Sequence, residues 1–401
     1  MTTDITTGAE PDSVRRAIAA GVDEWHDRVE ALARELHANP ELAFEEHRSA
    51  KAIAALLESG GFAVDRGVGG LDTAFEARAG SGPLEVVLCV EYDALPGIGH
   101  ACGHNLIAGT SVAAALALAP VADELGITVR AIGTPAEEHG GGKSVLLERG
   151  AFDGAHLALM LHPVQDGMSY NPTGTSAQAV GRFRAVFSGK SAHAAAAPHL
   201  AVNAADAAVL SHVAIGLLRQ QIRGDERIAL VTREAGEVTN IIPDRAVVEF
   251  ECRAFELDAY LALLERVRAC FEGAAVATGT VLEISETEPL YEPLIQDDAL
   301  AASWTSAMAA LGYDTTPSAG VSGGSTDMGN VSQVIPSLHP WFSLPGATAP
   351  IHTHEFAAFA NTPEAYRAMR DGAIGLAWTA AGAAAPGATR DRLLQSAFHS
   401  E

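Results

Sequence analysis

The residues of this chain that could do chemistry fall in short polar segments between apolar runs. They are Glu91-Tyr92-Asp93, His100-Ala101-Cys102-Gly103-His104-Asn105, Pro135-Ala136-Glu137-Glu138, His162-Pro163 and His352-Thr353-His354-Glu355. A thiol, imidazoles and carboxylates are the side chains that bind divalent transition metals. A lone cysteine is often only a small buried hydrophobe. The weight therefore rests on the pair Cys102 and His104, spaced Cys-x-His among glycines that let the backbone approach closely. Adjacent carboxylates such as Glu137 and Glu138 repel one another unless a cation lies between them. One can bind metal while the other acts as general base on a water that the metal activates. His162 reads equally as a ligand or as a satisfied core histidine, and either His352 or His354 could complete the set.

The elements that must position these groups follow from periodicity. Leu84–Val90 is a continuous apolar run, as a strand buried on both faces should be. Thr128–Ile132 and Leu157–Leu161 are further apolar strands, and Leu106–Leu118 is an Ala/Leu-rich helix. The chemical segments begin just past these strands, where parallel α/β sheets place their ligand crevice. Helical spacing of Val14, Ile18, Val22, Trp25, Val29, Leu32 and Leu36 predicts a first helix that stops at Asn39-Pro40, and a second runs over Ala50–Leu57. From about residue 178 the texture changes. Alternating strands at Gly181–Ser188, Ile228–Thr232, Ala246–Arg253 and Val281–Ser285 enclose helices at Asn203–Gln221 and Asp258–Ala277. That β-α-β-β-α-β order predicts an antiparallel sheet carrying two helices. The expected fold is therefore α/β: a mostly parallel-sheet domain, residues 1–177 and 289–401, interrupted by an inserted α+β domain at 178–288. A final helix is expected at Pro363–Ala380, and the Ala/Gly-rich stretch after Ala381 reads as frayed.

Composition narrows the function classes. The 401 residues are 48% hydrophobic and 19% charged, enough apolar material for a sizeable core. With 26 Lys and Arg against 50 Asp and Glu, the net charge of −24 repels phosphate backbones and anionic lipid. No nucleic-acid or membrane partner is expected. The longest purely apolar run, Val112–Ala119, is far short of the ~20 residues of a bilayer span. No basic segment and apolar run of a signal peptide opens the chain, and four cysteines make no disulfide framework, so the expected location is cytoplasmic. Gly142-Lys143-Ser144 imitates a phosphate loop, but Glu137 stands where its first glycine is required. Gly320-Val321-Ser322-Gly323-Gly324 imitates a nucleophile elbow, and His139-Gly140-Gly141-Gly142 an oxyanion motif, but the approach to Ser322 is a poor strand. A serine esterase or amidase using Ser322 is the alternative reading; a non-catalytic metal-binding scaffold is another.

Taken together, Leu36-His-Ala-Asn-Pro-Glu-Leu42, Tyr92-Asp-Ala-Leu-Pro96, His100-Ala-Cys-Gly-His-Asn105, Pro135-Ala-Glu-Glu138, His162-Pro163 and Asn240-Ile-Ile-Pro-Asp244 resemble the zinc-dependent aminoacylase, dipeptidase and amidohydrolase family. The resemblance implies a two-metal catalytic domain interrupted by a smaller lid domain that usually dimerises, here giving a homodimer. It implies two divalent ions, zinc or manganese, held by Cys102, His104, Glu138, His162 and a late histidine that best matches His352, with His354 two residues away. Glu137 matches the catalytic base and Asp93 the aspartate that orients a metal ligand. His193, in Ser191-Ala-His-Ala, matches a lid histidine that reaches the substrate carbonyl, often from the partner subunit. Asn240 matches a lid residue on the substrate's carboxylate side. Asn105 replaces the commoner aspartate, and the following Leu106-Ile-Ala108 with Gly133-Thr-Pro-Ala-Glu-Glu138 resembles the aminoacylase-like dipeptidase and aminobenzoyl-glutamate hydrolase branch. The activity implied is hydrolysis of an amide bond in small N-acyl amino acids, amino-acid conjugates or dipeptides.

Overall fold

The computed structural model describes residues 12–317 and 324–400, so Ser322 lies outside the described residues. The described residues form two compact units, one built from the two ends of the chain and the other from Ala177–Pro293 with residues 324 and 325.

The first unit begins with α1 (Asp12–Ala38), whose buried positions Val14, Ile18, Val22, Val29, Leu32 and Leu36 repeat at helical spacing. Then come α2 (His47–Ser59), β1 (Ala63–Arg66), β2 (Phe75–Gly80), β3 (Leu84–Val90), α3 (His104–Leu118), α4 (Ala122–Leu125), β4 (Ile127–Gly133), α5 (Gly142–Glu148), β5 (Leu157–Leu159) and β6 (His162–Val164). The second unit holds β7 (Ala179–Ser188), β8 (Ala192–His193), α6 (Ala204–Leu218), β9 (Arg227–Glu234), β10 (Ile241–Ile242), β11 (Arg245–Ala254), α7 (Leu257–Thr278) and β12 (Val281–Glu286). The first unit resumes with α8 (Asp298–Ala310), α9 (Met328–Val334), β13 (Ser337–Leu338), β14 (Trp341–Ser343), α10 (His354–Phe359), α11 (Pro363–Ala384) and α12 (Ala388–Leu393).

The main sheet runs β1-β2-β4-β3-β5-β13. Strands β4, β3, β5 and β13 are mutually parallel, whereas β1 and β2 form an antiparallel edge. The strand expected at Leu157–Leu161 ends in the main sheet at Leu159, and His162–Val164 pairs instead with β14, which sets His162 beside Trp341. Every residue of α3 is buried. Its small side chains explain how: a Cβ on Gly21 of α1 would lie 3.2 Å from Ala117 Cα, and one on Gly109 would lie 2.2 Å from Met369 Sδ of α11. The stretch His104–Leu125 is long and apolar enough to cross a membrane, yet most of it is buried inside this unit.

The second unit is a sheet of order β12-β7-β11-β9, antiparallel throughout, whose core joins Phe183, Phe187 and Phe250 to Phe271 of α7 and to Ala204, Ala207 and Ile215 of α6. A short ladder absent from the sequence pattern pairs β10 with β8.

The C-terminal stretch differs from the frayed end expected. Helix α11 continues to Ala384 and α12 buries Leu393. Arg390 Nη1 donates to the Leu125 carbonyl, and the Phe398 amide donates to the Ala155 carbonyl. Ala380, Ala381, Ala383 and Ala384 are a packing surface against the core, which composition alone cannot tell from low complexity.

One charge sits inside an otherwise apolar strand. Arg130, buried in the middle of β4, donates to Glu76 Oε1 at 2.5 Å, to Glu85 Oε2 at 2.9 Å, and to the carbonyls of Ala151 and Asp153. Removing one partner of such a network strands the others. Arg130→Met should cost about 3–5 kcal/mol, read as a lower denaturation midpoint with an unchanged denaturant slope; an unchanged midpoint would show the network to be dispensable.

Candidate metal centre

The C-terminal ends of β3, β4 and β5 converge as parallel strands must. Past β3 come Glu91 and Asp93, and then the loop that carries Cys102 into α3. Past β4 come Glu137 and Glu138, and past β5 comes His162. His104 is the first residue of α3 and follows Gly103, which has φ +77°. A Cβ at Gly103 would sit 2.6 Å from Pro163 Cγ, so glycine lets the Cys-x-His turn close onto the His162 segment. Gly142 does the same for the glutamate pair, since a Cβ there would lie 1.8 Å from the Pro135 carbonyl oxygen.

His104 is fully buried. Its Nδ1 faces Asp93 Oδ1 at 3.0 Å and the Asp93 carbonyl at 2.9 Å. Two acceptors there fix the proton on Nδ1 and leave Nε2 as a lone-pair donor. Nε2 makes no hydrogen bond. It faces Glu91 Oε2 at 3.6 Å, Glu137 Oε2 at 3.8 Å and Glu138 Oε1 at 3.9 Å. Cys102 Sγ lies 3.2 Å from His162 Nε2 and 3.4 Å from His352 Nε2. His162 Nδ1 is occupied by the Pro163 carbonyl at 2.9 Å, so again Nε2 points inward. Glu138 Oε2 stands 3.7 Å from His352 Nε2, and the Glu138 amide donates to Asp93 Oδ2 at 3.0 Å.

Two nitrogen or oxygen ligands about 2.1 Å from one ion, at a tetrahedral angle, stand about 3.4 Å apart. The separations above match that edge, and most are too long for hydrogen bonds. Three sets of ligand atoms can hold a cation: Cys102, His104 and His162; Cys102, Glu138 and His352; and Glu91, His104 and Glu137. His104 Nε2, Glu91 Oε2 and Glu138 Oε1 are buried without a hydrogen-bond partner, which costs about 1–3 kcal/mol or more for each such group. Cations at two of these sets would satisfy all three, Glu91 and His104 in one and Glu138 in the other. The residues fit a metal.

The electrostatics lead the same way. Burial, then Glu138, pushes the Cys102 thiol well above its ordinary range. Burial, then the charges of Glu91 and Glu138, raises Glu137 well above an ordinary carboxylate. Burial, then His104, depresses His162 to about 3, so it is neutral at any ordinary pH. Burial works against charge on His104 too, but Asp93 outweighs it and lifts that imidazole well above its usual value, so a bound ion takes the place of the proton on Nε2. A dication at the centre reverses the thiol's sign, because it favours the thiolate.

A model of peptidase family M20/M25/M40 matches residues 87–371. The chain belongs to that family. It is a hydrolase, as its relatives are. Xaa-Arg dipeptidase of Mus musculus is 36% identical, covering 94% of this chain and 90% of its own length. A p-aminobenzoyl-glutamate hydrolase polypeptide of Escherichia coli strain K12 is 34% identical over 67% of this chain and 60% of its own length. A dinuclear metal-binding M20 peptidase from Bacillus subtilis, 26% identical, superposes with a TM-score of 0.64 over 88% of this chain and 99% of its own. A Staphylococcus aureus aminohydrolase structure, at 20% identity and a TM-score of 0.75 over 93% and 100% of the two chains, shares the fold.

Of the site residues expected in this M20-family chain, Cys102, His104, Glu137, Glu138, His162, His352 and Asp93 are brought together. His354 opens α10, is exposed, and belongs to none of the three ligand sets found among the described residues. His193 and Asn240 lie in the second unit. The β8–β10 ladder sets them side by side, with Ile241 opposite His193 and the Ala194 amide donating to the Asn240 carbonyl. His193 Nδ1 accepts from the amides of Ala195 and Ala196, which leaves its Nε2 outward.

Sequence reasoning missed four supporting residues. Lys143, part of the failed phosphate-loop pattern, is buried and pairs with Glu91 Oε1 and with Asp327 Oδ1 at 2.7 Å, while its amide donates to Asp327 Oδ2. A lysine inside the short apolar helix α5 was the available signal. Asp327 had none. Buried His339 lies between His162 and Trp341, ring centroids 6.0 Å from each. Glu46, in a Glu-Glu pair that reads as an ordinary helix start, accepts the Ala136 amide at 2.9 Å. Ala136 has φ +62°, a strained value for alanine immediately before the proposed base.

Glu46 carries a pH signature. Burial first, then the charge of Asp93, raises its carboxyl from 4.5 to about 7. The folded state thus prefers it protonated, and this stability is complete below about pH 4.5 and lost as pH rises through about 7. In the metal-free protein, Glu46→Gln should flatten the fall of Tm over that window. A slope equal to that of the wild type would contradict the assignment.

Proposed function

We propose that this protein is a metal-dependent amidohydrolase that cleaves the amide bond of small dipeptides, N-acyl amino acids or amino-acid conjugates. The observation that carries the reading is Glu137, a buried carboxyl beside Glu138 and facing His104 at 3.8 Å. A metal scaffold has no need of a second carboxylate there. Cys102, His104, His162, Glu138 and His352 would hold two divalent ions, for which the thiolate favours zinc over manganese. When bound, such ions lower the pKa of water and stabilise negative charge on a carbonyl oxygen.

The chain's own residues do the rest. Glu137 takes the proton from the attacking water and later delivers it to the leaving amine. Asp93 holds His104 by Nδ1 and Glu138 by its amide, so one carboxylate orients two ligands. His193 and Asn240 are proposed to meet the substrate's carbonyl oxygen and carboxylate. The net charge of −24 favours approach of a substrate with a cationic residue over one with extra carboxylates. That agrees with the relative named for Xaa-Arg dipeptides better than with the one named for a glutamate conjugate.

The inserted unit is the proposed dimer contact. Strand β9 is a sheet edge, and α6 exposes Val209, Leu210, Val213 and Leu217, an apolar face that a second copy would cover. Val213→Asp with Leu217→Asp should halve the mass measured by light scattering. A wild-type monomer, or a dimeric variant, would refute this contact.

Activity should be lost on exhaustive chelation and return with zinc or manganese. Glu137→Gln should lower kcat by about 10²–10⁴-fold with metal content unchanged. A screen of Xaa-Arg dipeptides, other dipeptides, acyl-amino acids and aminobenzoyl-glutamate fixes the substrate. Turnover that survives chelation would instead favour the serine-hydrolase reading, and bound metal without turnover on any amide the scaffold reading.

A further inference from the structure

Glu91 is not among the five residues proposed to hold the two ions, although one of the three candidate sets joins it to His104 and Glu137, and its surroundings are not those of a simple counter-ion. It is fully buried at the end of β3. One carboxylate oxygen, Oε1, is held by Lys143 Nζ. The other, Oε2, accepts no hydrogen bond although it is buried. It lies 3.6 Å from His104 Nε2, nearer than either glutamate of the Glu137-Glu138 pair.

Lys143 does not need Glu91 for neutrality. Asp327, also fully buried, binds it twice, through Nζ at 2.7 Å and through the amide at 2.8 Å. Buried Glu91 next to that pair adds a negative charge which the ammonium has already spent on Asp327. A second buried carboxylate with one oxygen left unpaired is costly. It is explained if its open oxygen has a cation to face. His104 points the same way: its Nδ1 is fixed by Asp93, so its bare Nε2 and the bare Glu91 Oε2 are aimed at one space, separated by about one edge of a zinc coordination tetrahedron.

We propose that Glu91 is an additional ligand to the ion bound at His104 Nε2, and that Lys143 and Asp327 are positioning residues that hold Oε1 so that Oε2 turns to the metal. The ion at His104 then gains a carboxylate from the residue just past β3, in the set that joins Glu91 and His104 to Glu137. This inference rests on the metal-dependent reading, and the two can fail separately.

The test uses the full-length metal-free chain titrated with Zn²⁺ or Co²⁺ alone, against a chromophoric chelator, with visible absorption of the cobalt form as second readout. In the wild type two ions bind. Glu91→Gln, which keeps shape and can still bond Lys143, should weaken one binding step tenfold or more and shift the cobalt bands. If that variant does not fold without metal, Glu91→Asp retains the charge beside Lys143 while withdrawing the carboxylate. Its cobalt bands should shift as well. Two ions bound by a folded variant with wild-type affinities and an unmoved cobalt spectrum would overturn the role of Glu91 and leave the metal-dependent reading standing. A wild-type chain that binds no ion would overturn both.

Discussion

Buried like charge is the constraint on which this structure turns. Glu91, Asp93, Glu137 and Asp327 are buried, Glu138 is nearly so, and the ammonium of Lys143 is the buried lysine among them. Carboxylates crowded at low dielectric either take up protons or gather cations. Without an ion the raised proton affinities of Glu91 and Glu137 record the first response. The bare donors of His104, Glu91 and Glu138, spaced as ligands rather than as hydrogen-bond partners, record the second. Both responses come from the same crowding of buried carboxylates.

The scaffold around the cluster is organised to keep it from relaxing. Parallel strands supply the segments from a rigid sheet, and α3, buried on all sides, fixes the position of His104. Glycines at 103 and 142 remove side chains where backbone must meet backbone or proline. Asp93 bonds both His104 and the Glu138 amide, and Glu46 pins the strained Ala136. His352 itself has φ +64°, with its amide on the Ala101 carbonyl in the Cys102 loop. Strain at Ala136 and His352, the residues beside the base and at the late ligand, is the kind that surrounding structure must hold in place.

Much of this was legible. Continuous apolar runs announced β3 and β4, helical spacing announced α1, and the change to alternation near residue 178 announced the inserted antiparallel sheet. The rest was hidden for separate reasons. The end of the chain reads as low complexity because alanine contributes packing without a periodic signature. The β1–β2 edge and the β8–β10 ladder are too short to carry a period. Lys143 and Arg130 are charged residues in buried elements, and their meaning depends on partners as distant in sequence as Asp327 and Glu76.

The sequence by itself determined the chemistry: thiol, imidazoles and paired carboxylates at the ends of apolar strands have few uses other than holding a metal, and ligand type is a property of residues. Tertiary structure decided what depends on distance. It brought His352 rather than His354 to Cys102 and Glu138, set His193 beside Asn240, and surrounded the ligands with Glu46, Lys143 and Asp327. Those choices could not be read along the chain, because a buried charge is defined by its neighbours in space, and these neighbours come from segments up to 250 residues apart.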